Sequence, residues 1–211
     1  ITGGGGKIGS AVANKFINEN IEVILLDKNF KNLDINIKKK CLCIECDLTN
    51  NSQINKALKK ILKLFGGIDI LIANSGAAFQ GSMLNVKKDI LEKSLEVNFY
   101  SHHNIVQKIA NIMVSQGFGG SISLNLSKQS INPGKDFGPY GIAKASSLFS
   151  MKQYALEFGK FNIRVNGINA DRIKSGLLTD QFIKERAKAR NMSSTEYLNN
   201  NILQKLSLIH I

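Results

Sequence analysis

Proline is nearly absent from this chain, with two in 211 residues, while hydrophobic residues make up 43% and charged residues 21%. That balance excludes both a collagen-like repeat and a disordered polyelectrolyte, and it leaves a globular chain of about one domain's length. Cysteine is scarce as well, and the three that occur crowd into KCLCIECDL as Cys41, Cys43 and Cys46. An odd, clustered set makes no disulfide framework. Cys43 and Cys46 form a C-x-x-C, but a zinc site needs a second ligand pair, and His102, His103 and His210 stand at unhelpful spacing. Three small apolar residues on a buried strand are expected instead. No apolar run of about 18 residues occurs and no signal peptide is visible, so no membrane partner is expected and a reducing cytoplasm is the expected setting.

Acidic residues are the other shortage: 16 against 28 Lys and Arg, a net charge of +12. A positive field concentrates polyanions. Yet lysine is spread along the whole chain with asparagine and isoleucine, in the manner of a codon bias, and no basic stripe carries interleaved aromatics. No nucleic-acid partner is expected.

What is present is an alternation. IEVILLDK (21–28), KCLCIECDL (40–48), IDILIANSG (68–76), SISLNLS (121–127) and IRVNGIN (163–169) read as short strands, β-branched or almost continuously apolar. Between them, residues 10–20, 52–66, 86–116 and 141–160 have helical spacing. Strands alternating with helices predict βαβ units and one parallel sheet covered on both faces, an α/β domain without a linker or repeat. Residues 179–198 leave the rhythm as a charged helical excursion.

The chain starts on ITGGGGKIGS. Gly3, Gly6 and Gly9 follow a β-like start and precede a helix, where glycines allow a tight turn and bring backbone N–H groups to a pyrophosphate. Asp27 ends the second strand 18 residues after Gly9, where a carboxylate accepts from a ribose 2′-hydroxyl and repels a 2′-phosphate. NAD is therefore expected over NADP, with Lys7 and Lys28 as counter-indications, since either reaches toward that phosphate. Asp47, in CDLT, accepts from an adenine amino group, caps the following helix, or does both.

Tyr140 and Lys144 in PYGIAKAS are four residues apart, on one face of a helix. An ammonium a few ångströms from a phenol favours the phenolate and is expected to lower its pKa. Ser127, 13 residues before Tyr140, stands at a strand end, placed either to hold a substrate oxygen or to cap the strand. Asn98 in LEVNFYSHH lies inside a helix, a position from which asparagine usually faces solvent or finds a local partner.

These segments together resemble the short-chain dehydrogenase/reductase family over essentially the whole chain to about residue 205. TGGGGKIG is similar to its glycine motif, CDLT to its adenine-site aspartate, ANSG to its N-A-G motif, VNFYS to its helix asparagine, NLS…YGIAK to its Ser-Tyr-x-x-x-Lys set and IRVN to the next strand. The resemblance implies a Rossmann fold, a three-layer αβα sandwich with strand order 3-2-1-4-5-6-7, and NAD(P) as cofactor. It implies cofactor contacts from Gly3, Gly6, Lys7, Ile8, Gly9, Asp27, Asp47, Leu48, Asn74 and Gly76. It further implies Tyr140 as general acid/base, Lys144 on the nicotinamide ribose, Ser127 orienting substrate and Asn98 holding a water in the proton relay.

Two departures stand out. Lys7 occupies a position where the compact branch has glycine, a spacing more like the extended, sugar-nucleotide branch. Ala170 and Asp171 replace the usual Pro-Gly after the sixth strand. The stretches after Ser127 and Asn169 look similar to the dehydrogenase half of bifunctional proteins with a class II aldolase-like domain, which implies a hydroxylated, sugar-like substrate. Lys128, Lys135 and Arg172 either favour a phosphorylated or acidic substrate or are solvated surface cations.

The resemblance implies a domain cut short at both ends, its first strand starting before Ile1 and a seventh strand lying beyond residue 205. LSLIHI (206–211) is similar to the translation of a transposase adaptor used in preparing DNA for sequencing; the opposing reading is an apolar tail docked on the sheet or a neighbouring subunit. The expected activity is interconversion of a secondary alcohol and a ketone with NAD by a homo-oligomer. The alternatives are an NAD-retaining sugar epimerase or dehydratase, and a nucleotide-sensing module without chemistry.

Overall fold

A computed structural model describes residues 1–170 and 180–203, which divide into two compact units, Ile1–Asn169 and Ala170–Ile211. In the first, the chain runs α1 (Lys7–Asn18), β1 (Ile24–Asp27), α2 (Ile35–Lys40), β2 (Leu42–Glu45), α3 (Asn51–Phe65), β3 (Ile70–Ala73), α4 (Lys88–Leu95), α5 (Ser101–Gln116), β4 (Gly120–Asn125), α6 (Gly138–Phe158) and β5 (Ile163–Ile168). Four of the five strands fall inside the apolar runs, and β4 starts one residue before its run. β1 pairs with β2, and β3, β4 and β5 pair in that order, all in parallel. Ile1 and Thr2 join the two groups. Leu26 N–H donates to the Ile1 carbonyl, and Thr2 N–H donates to the Ile72 carbonyl, each over 2.9 Å.

The lateral order is therefore β2, β1, residues 1–2, β3, β4, β5. The chain moves outward from Thr2 to β1 and β2, then returns past Thr2 to β3. That reversal opens a crevice at the carboxyl ends of Thr2 and β3, the place where open α/β sheets take ligands. On the opposite side of Thr2, between the starts of β1 and β3, lies an apolar cleft of about 340 Å³ lined by Ile1, Phe16, Val23, Ile61, Phe65 and Ile70 among others.

Burial on both faces explains why the strands were so apolar. Leu25 packs with Ala13 and Phe30, whereas its neighbour Leu26 packs with Ile54, Ile105 and Ile122 in a separate cluster. Successive side chains point to opposite faces, and full burial of each leucine contributes about 1.5–3 kcal/mol. α3 shows the helical counterpart: Ile54, Ala57, Leu58 and Ile61 are buried, the Asn50 side chain accepts from the N–H groups of Ser52 and Gln53, and Gly66 ends the helix at φ 78°. The cap of α3 is thus Asn50. Asp47, one of the expected candidates, instead stands at the preceding turn.

Two expectations change. α2 has no counterpart in the sequence reading; six residues are too few to display a helical period. Its signals are the Asp34 side chain accepting from Asn36 N–H and three lysines in the last turn. The cysteines do not share a buried strand. Cys41 follows α2, Cys43 sits half-buried on β2, and only Cys46, beyond the strand end, is buried. β2 is an edge strand, so its residues keep partial exposure.

The second unit contains α7 (Asp180–Lys188) and α8 (Ser194–Tyr197), the latter begun by a capping box between Ser193 and Glu196. Ala187, Tyr197 and Ile202 form its small core. Arg172, Asp171 and LSLIHI lie outside the described residues. Among the described residues, no helix is long and apolar enough to cross a membrane.

Candidate active site

Ile1 and Thr2 turn directly into the glycine loop. Gly3 sits at φ 64°, a conformation that side chains resist, and its carbonyl accepts from Gly6 N–H at 3.2 Å. A Cβ on Gly9 would lie 2.2 Å from that same carbonyl oxygen, so helix and loop meet as closely as backbone permits. α1 starts at Lys7 behind Gly6 with no side-chain cap, which leaves its first N–H groups facing outward at the positive end of the helix dipole. A pyrophosphate fits these groups. Lys7 is exposed at the first helical position.

Asp27 braces the loop: Oδ2 accepts from Gly5 N–H at 2.9 Å and Oδ1 from Lys28 N–H at 2.7 Å. Each oxygen retains a lone pair for a ribose hydroxyl. Lys28 turns away to Asp47, Nζ to Oδ2 3.0 Å. Burial alone would raise the Asp47 carboxyl, but hydrogen bonds from the Thr49 backbone, Lys28 and the Thr49 hydroxyl outweigh it and hold the group below the usual carboxylate range.

Asn74 ties the crevice together. Its backbone N–H donates to Thr2 Oγ1 at 2.9 Å, its Nδ2 donates to the Thr2 and Gly3 carbonyls, and its Oδ1 accepts from Asn125 Nδ2 at 2.8 Å. Gly76 follows where a Cβ would stand 2.9 Å from Asn98 Oδ1. Asn98 itself is fully buried. Its Oδ1 accepts from Ala77 N–H at 3.1 Å, and its Nδ2 donates to the carbonyls of Ala77, 2.9 Å, and Ser94, 3.2 Å. Of the two expectations for this asparagine, full burial overturns solvent exposure, while the Ser94 carbonyl four residues back is a local partner, joined by the distant Ala77. Between α4 and α5, Glu96–Tyr100 form a π-helical turn, and Asn98 is its buried residue. Both ends of the amide are engaged within the protein, which makes it a brace for the 76–77 backbone.

Tyr140 and Lys144 do share one face of α6, and both are buried. The Tyr140 hydroxyl is hydrogen-bonded to the side chain of Ser127, which also accepts from Gln129 N–H at the head of a short 3₁₀ turn. Lys144 Nζ donates to the Asn125 carbonyl at 2.8 Å and lies 5.8 Å from the Tyr140 ring centre. The expected depression of the phenol is absent. Burial raises the Tyr140 pKa and the Ser127 hydrogen bond only partly opposes it. Burial also lowers the Lys144 ammonium to about 8. Desolvation wins over the cation because Lys144 is aimed at a carbonyl, not at the phenolic oxygen.

Ser127, Tyr140, Lys144 and Asn98 thus converge with Asn74 and Gly76, while Gly3, Gly6, Lys7, Ile8, Gly9 and Asp27 line the loop side and Asp47 and Leu48 follow β2. Sequence reasoning missed Asn125, which joins Asn74 to Lys144, and Ser94 and Ser147, whose hydroxyls donate to the Pro139 and Asn98 carbonyls at 2.9 Å each. Nothing in SISLN, KSL or KASS marks these residues; their partners come from distant segments. Among the described residues, no group of His, Cys, Asp and Glu is placed to hold a metal.

Comparison with known proteins agrees with this geometry. A curated relative, the uncharacterized oxidoreductase YuxG of Bacillus subtilis (strain 168), is 28% identical over 199 residues, covering 90% of this chain and 29% of its own length. The chain therefore spans less than a third of that relative. Among solved structures, an NAD⁺-bound xylitol dehydrogenase superposes with a TM-score of 0.83 at 24% identity, covering 89% of this chain and 74% of that one. Sorbitol-6-phosphate 2-dehydrogenase SrlD from Erwinia amylovora gives 0.87 at 19%, covering 94% and 81%. Both share the parallel Rossmann-type fold. With the short chain dehydrogenase family model matching residues 1–186, and the glycine loop, Asn74, Asn98, Ser127, Tyr140 and Lys144 meeting at one crevice, the chain belongs to the short-chain dehydrogenase/reductase family.

Proposed function

We propose that the chain is an NAD-dependent oxidoreductase that interconverts a secondary alcohol and a ketone on a hydroxylated, sugar-like small molecule, with Tyr140 as general acid and base. One observation carries this reading: a buried ammonium without an anionic partner. Lys144 is 3% exposed, no carboxylate among the described residues pairs with it, and it stands behind a tyrosine hydroxyl bonded to Ser127. Desolvating a lone cation is costly and contributes nothing to packing, so such a group marks a functional site.

When bound, the nicotinamide supplies the donor or acceptor of hydride. The chain's own residues manage the proton. Ser127 holds the substrate oxygen beside Tyr140, whose phenol donates its proton to the ketone oxygen in reduction and whose phenolate takes the alcohol proton in oxidation. Burial keeps that hydroxyl protonated at neutral pH and therefore able to donate to a ketone oxygen. Lys144 offsets the negative charge as the proton leaves. NAD over NADP is supported by Asp27 at the ribose position and by Asp47 drawing Lys28 away. A homo-oligomer is supported by Phe149 and Leu156, seven residues apart on α6 and 70% and 76% exposed.

The test is Tyr140→Phe in the full chain, assayed with NAD⁺ against a panel of secondary alcohols and polyols. General acid–base catalysis contributes about 10²–10⁴-fold, so turnover should fall by roughly 10³ while NADH affinity stays within about threefold. Unchanged turnover removes Tyr140 from the chemistry.

A further inference from the structure

His102 is a buried, titratable side chain that the proposed chemistry does not use. It is 2% exposed, four residues after Asn98 on the continuation of the same helix. Its Nε2 lies 2.6 Å from the Ser75 carbonyl oxygen and 3.3 Å from Ser75 Oγ. A carbonyl only accepts, so Nε2 carries the proton and Nδ1 presents a bare lone pair. That Nδ1 is buried and has no hydrogen-bond partner among the described residues. A ring that leaves one nitrogen unsatisfied fills this space less well than an aromatic hydrocarbon, so the polar contribution of His102 passes entirely through Nε2.

The bond at Nε2 acts on the cofactor-facing backbone. Ser75 N–H and Asn74 N–H both donate to Thr2 Oγ1, and the Ser75 Cα lies 2.9 Å from where a Gly3 Cβ would stand. Two residues on, Ala77 is held at both its N–H and its carbonyl by Asn98. Helix α5 and the π turn before it therefore grip this strand-end segment at two points, with the glycine loop pressed on its other side.

We infer that His102 is a positioning residue of the dinucleotide pocket: as an Nε2–H donor it clamps the Ser75 carbonyl and fixes Asn74–Gly76 between the glycine loop and Asn98. This inference rests on reading the crevice as a dinucleotide site. Neutral imidazole suits the role, because burial, with the Lys144 charge adding to it, holds the His102 pKa down at about 3.

The test pairs two readouts on His102→Val and His102→Gln, the second of which restores an amide donor near the Nε2 position. Fluorescence titration with NADH reads the pocket, and amide hydrogen exchange at residues 74–77 reads the clamp, with Ile109–Met113 of α5 as an internal control of folding. His102→Val should weaken NADH binding about tenfold, which is about 1.4 kcal/mol, and speed exchange at residues 74–77 by a similar factor. His102→Gln should recover most of both losses. Wild-type exchange and affinity in His102→Val overturn the inference, as does faster exchange with unchanged NADH affinity. If wild-type protein binds no NADH, the cofactor reading fails, and the exchange data alone then support or overturn the clamp.

Discussion

Lys144 brings an ammonium into a place almost without water, and this has a measurable consequence for stability. Its ordinary pKa of 10.5 falls to about 8 in the folded chain because burial penalises the charged form. Between those values the unfolded chain holds a proton that the folded chain has released. Stability therefore rises with pH across that window, by at most about 3 kcal/mol at 1.36 kcal/mol per unit. Lys144→Met carries no such proton. Its urea midpoint should exceed that of the wild type near pH 7, less whatever is lost by leaving the Asn125 carbonyl unpaired, and the gap should narrow as pH rises from about 8 to 10.5. Parallel pH curves for the two proteins would sink this account. At this scale much of the site was legible: Tyr140 and Lys144 share a face because four residues span about one helical turn. The direction of the tyrosine's pKa shift was not legible, since it depends on where Nζ points and on how little water remains.

The long helical region between β3 and β4 shows what periodicity conveys and what it hides. Its apolar spacing located the helix correctly, but one extra residue in the turn Glu96–Tyr100 leaves no mark on an apolar pattern. Asn98 lies within that turn and is buried. Across the helix pair, Ser147 of α6 donates to the Asn98 carbonyl at 2.9 Å in a fully buried setting. Ser147→Ala leaves that carbonyl without its cross-helix partner, at a cost of about 1–3 kcal/mol. Chemical denaturation should show the loss. Turnover in the NAD-linked assay should fall more than NADH affinity, because the tie joins the helix of Tyr140 to that of Asn98. Equal stability in the variant would mean the π turn is held by packing alone. α2 escaped notice for a different reason, since a helix of six residues, Ile35–Lys40, ends before a period can repeat.

For the molecule as a whole, the strands were visible because a parallel sheet buried on both faces demands nearly continuous apolar runs, and the lateral order came from the family resemblance. What no local pattern conveyed is the apolar cleft beside Ile1 and Thr2. Ile1 and Thr2 bond to β1 and β3, and next to them the 340 Å³ cleft runs between strand edges that start at Ile24 and Ile70. Its walls are apolar, with Val23, Phe16, Ile61 and Phe65 among them. A strand rises about 3.3 Å per residue, so about four β-branched residues appended ahead of Ile1 would enter this cleft and pair on both sides. Burying each side chain contributes about 1.5–3 kcal/mol. Ordering each residue's backbone costs about 1–2 kcal/mol, and each ladder hydrogen bond returns about 0.5–1.5 kcal/mol. The sum favours the extended chain by a few kcal/mol. Its urea midpoint should therefore rise above that of the 211-residue chain, whereas an equally long Gly-Ser extension, which has nothing to bury and more entropy to lose, should leave the midpoint unchanged. If the two extensions behave alike, the cleft is not a strand lane, and its apolar walls are satisfied by closing on themselves.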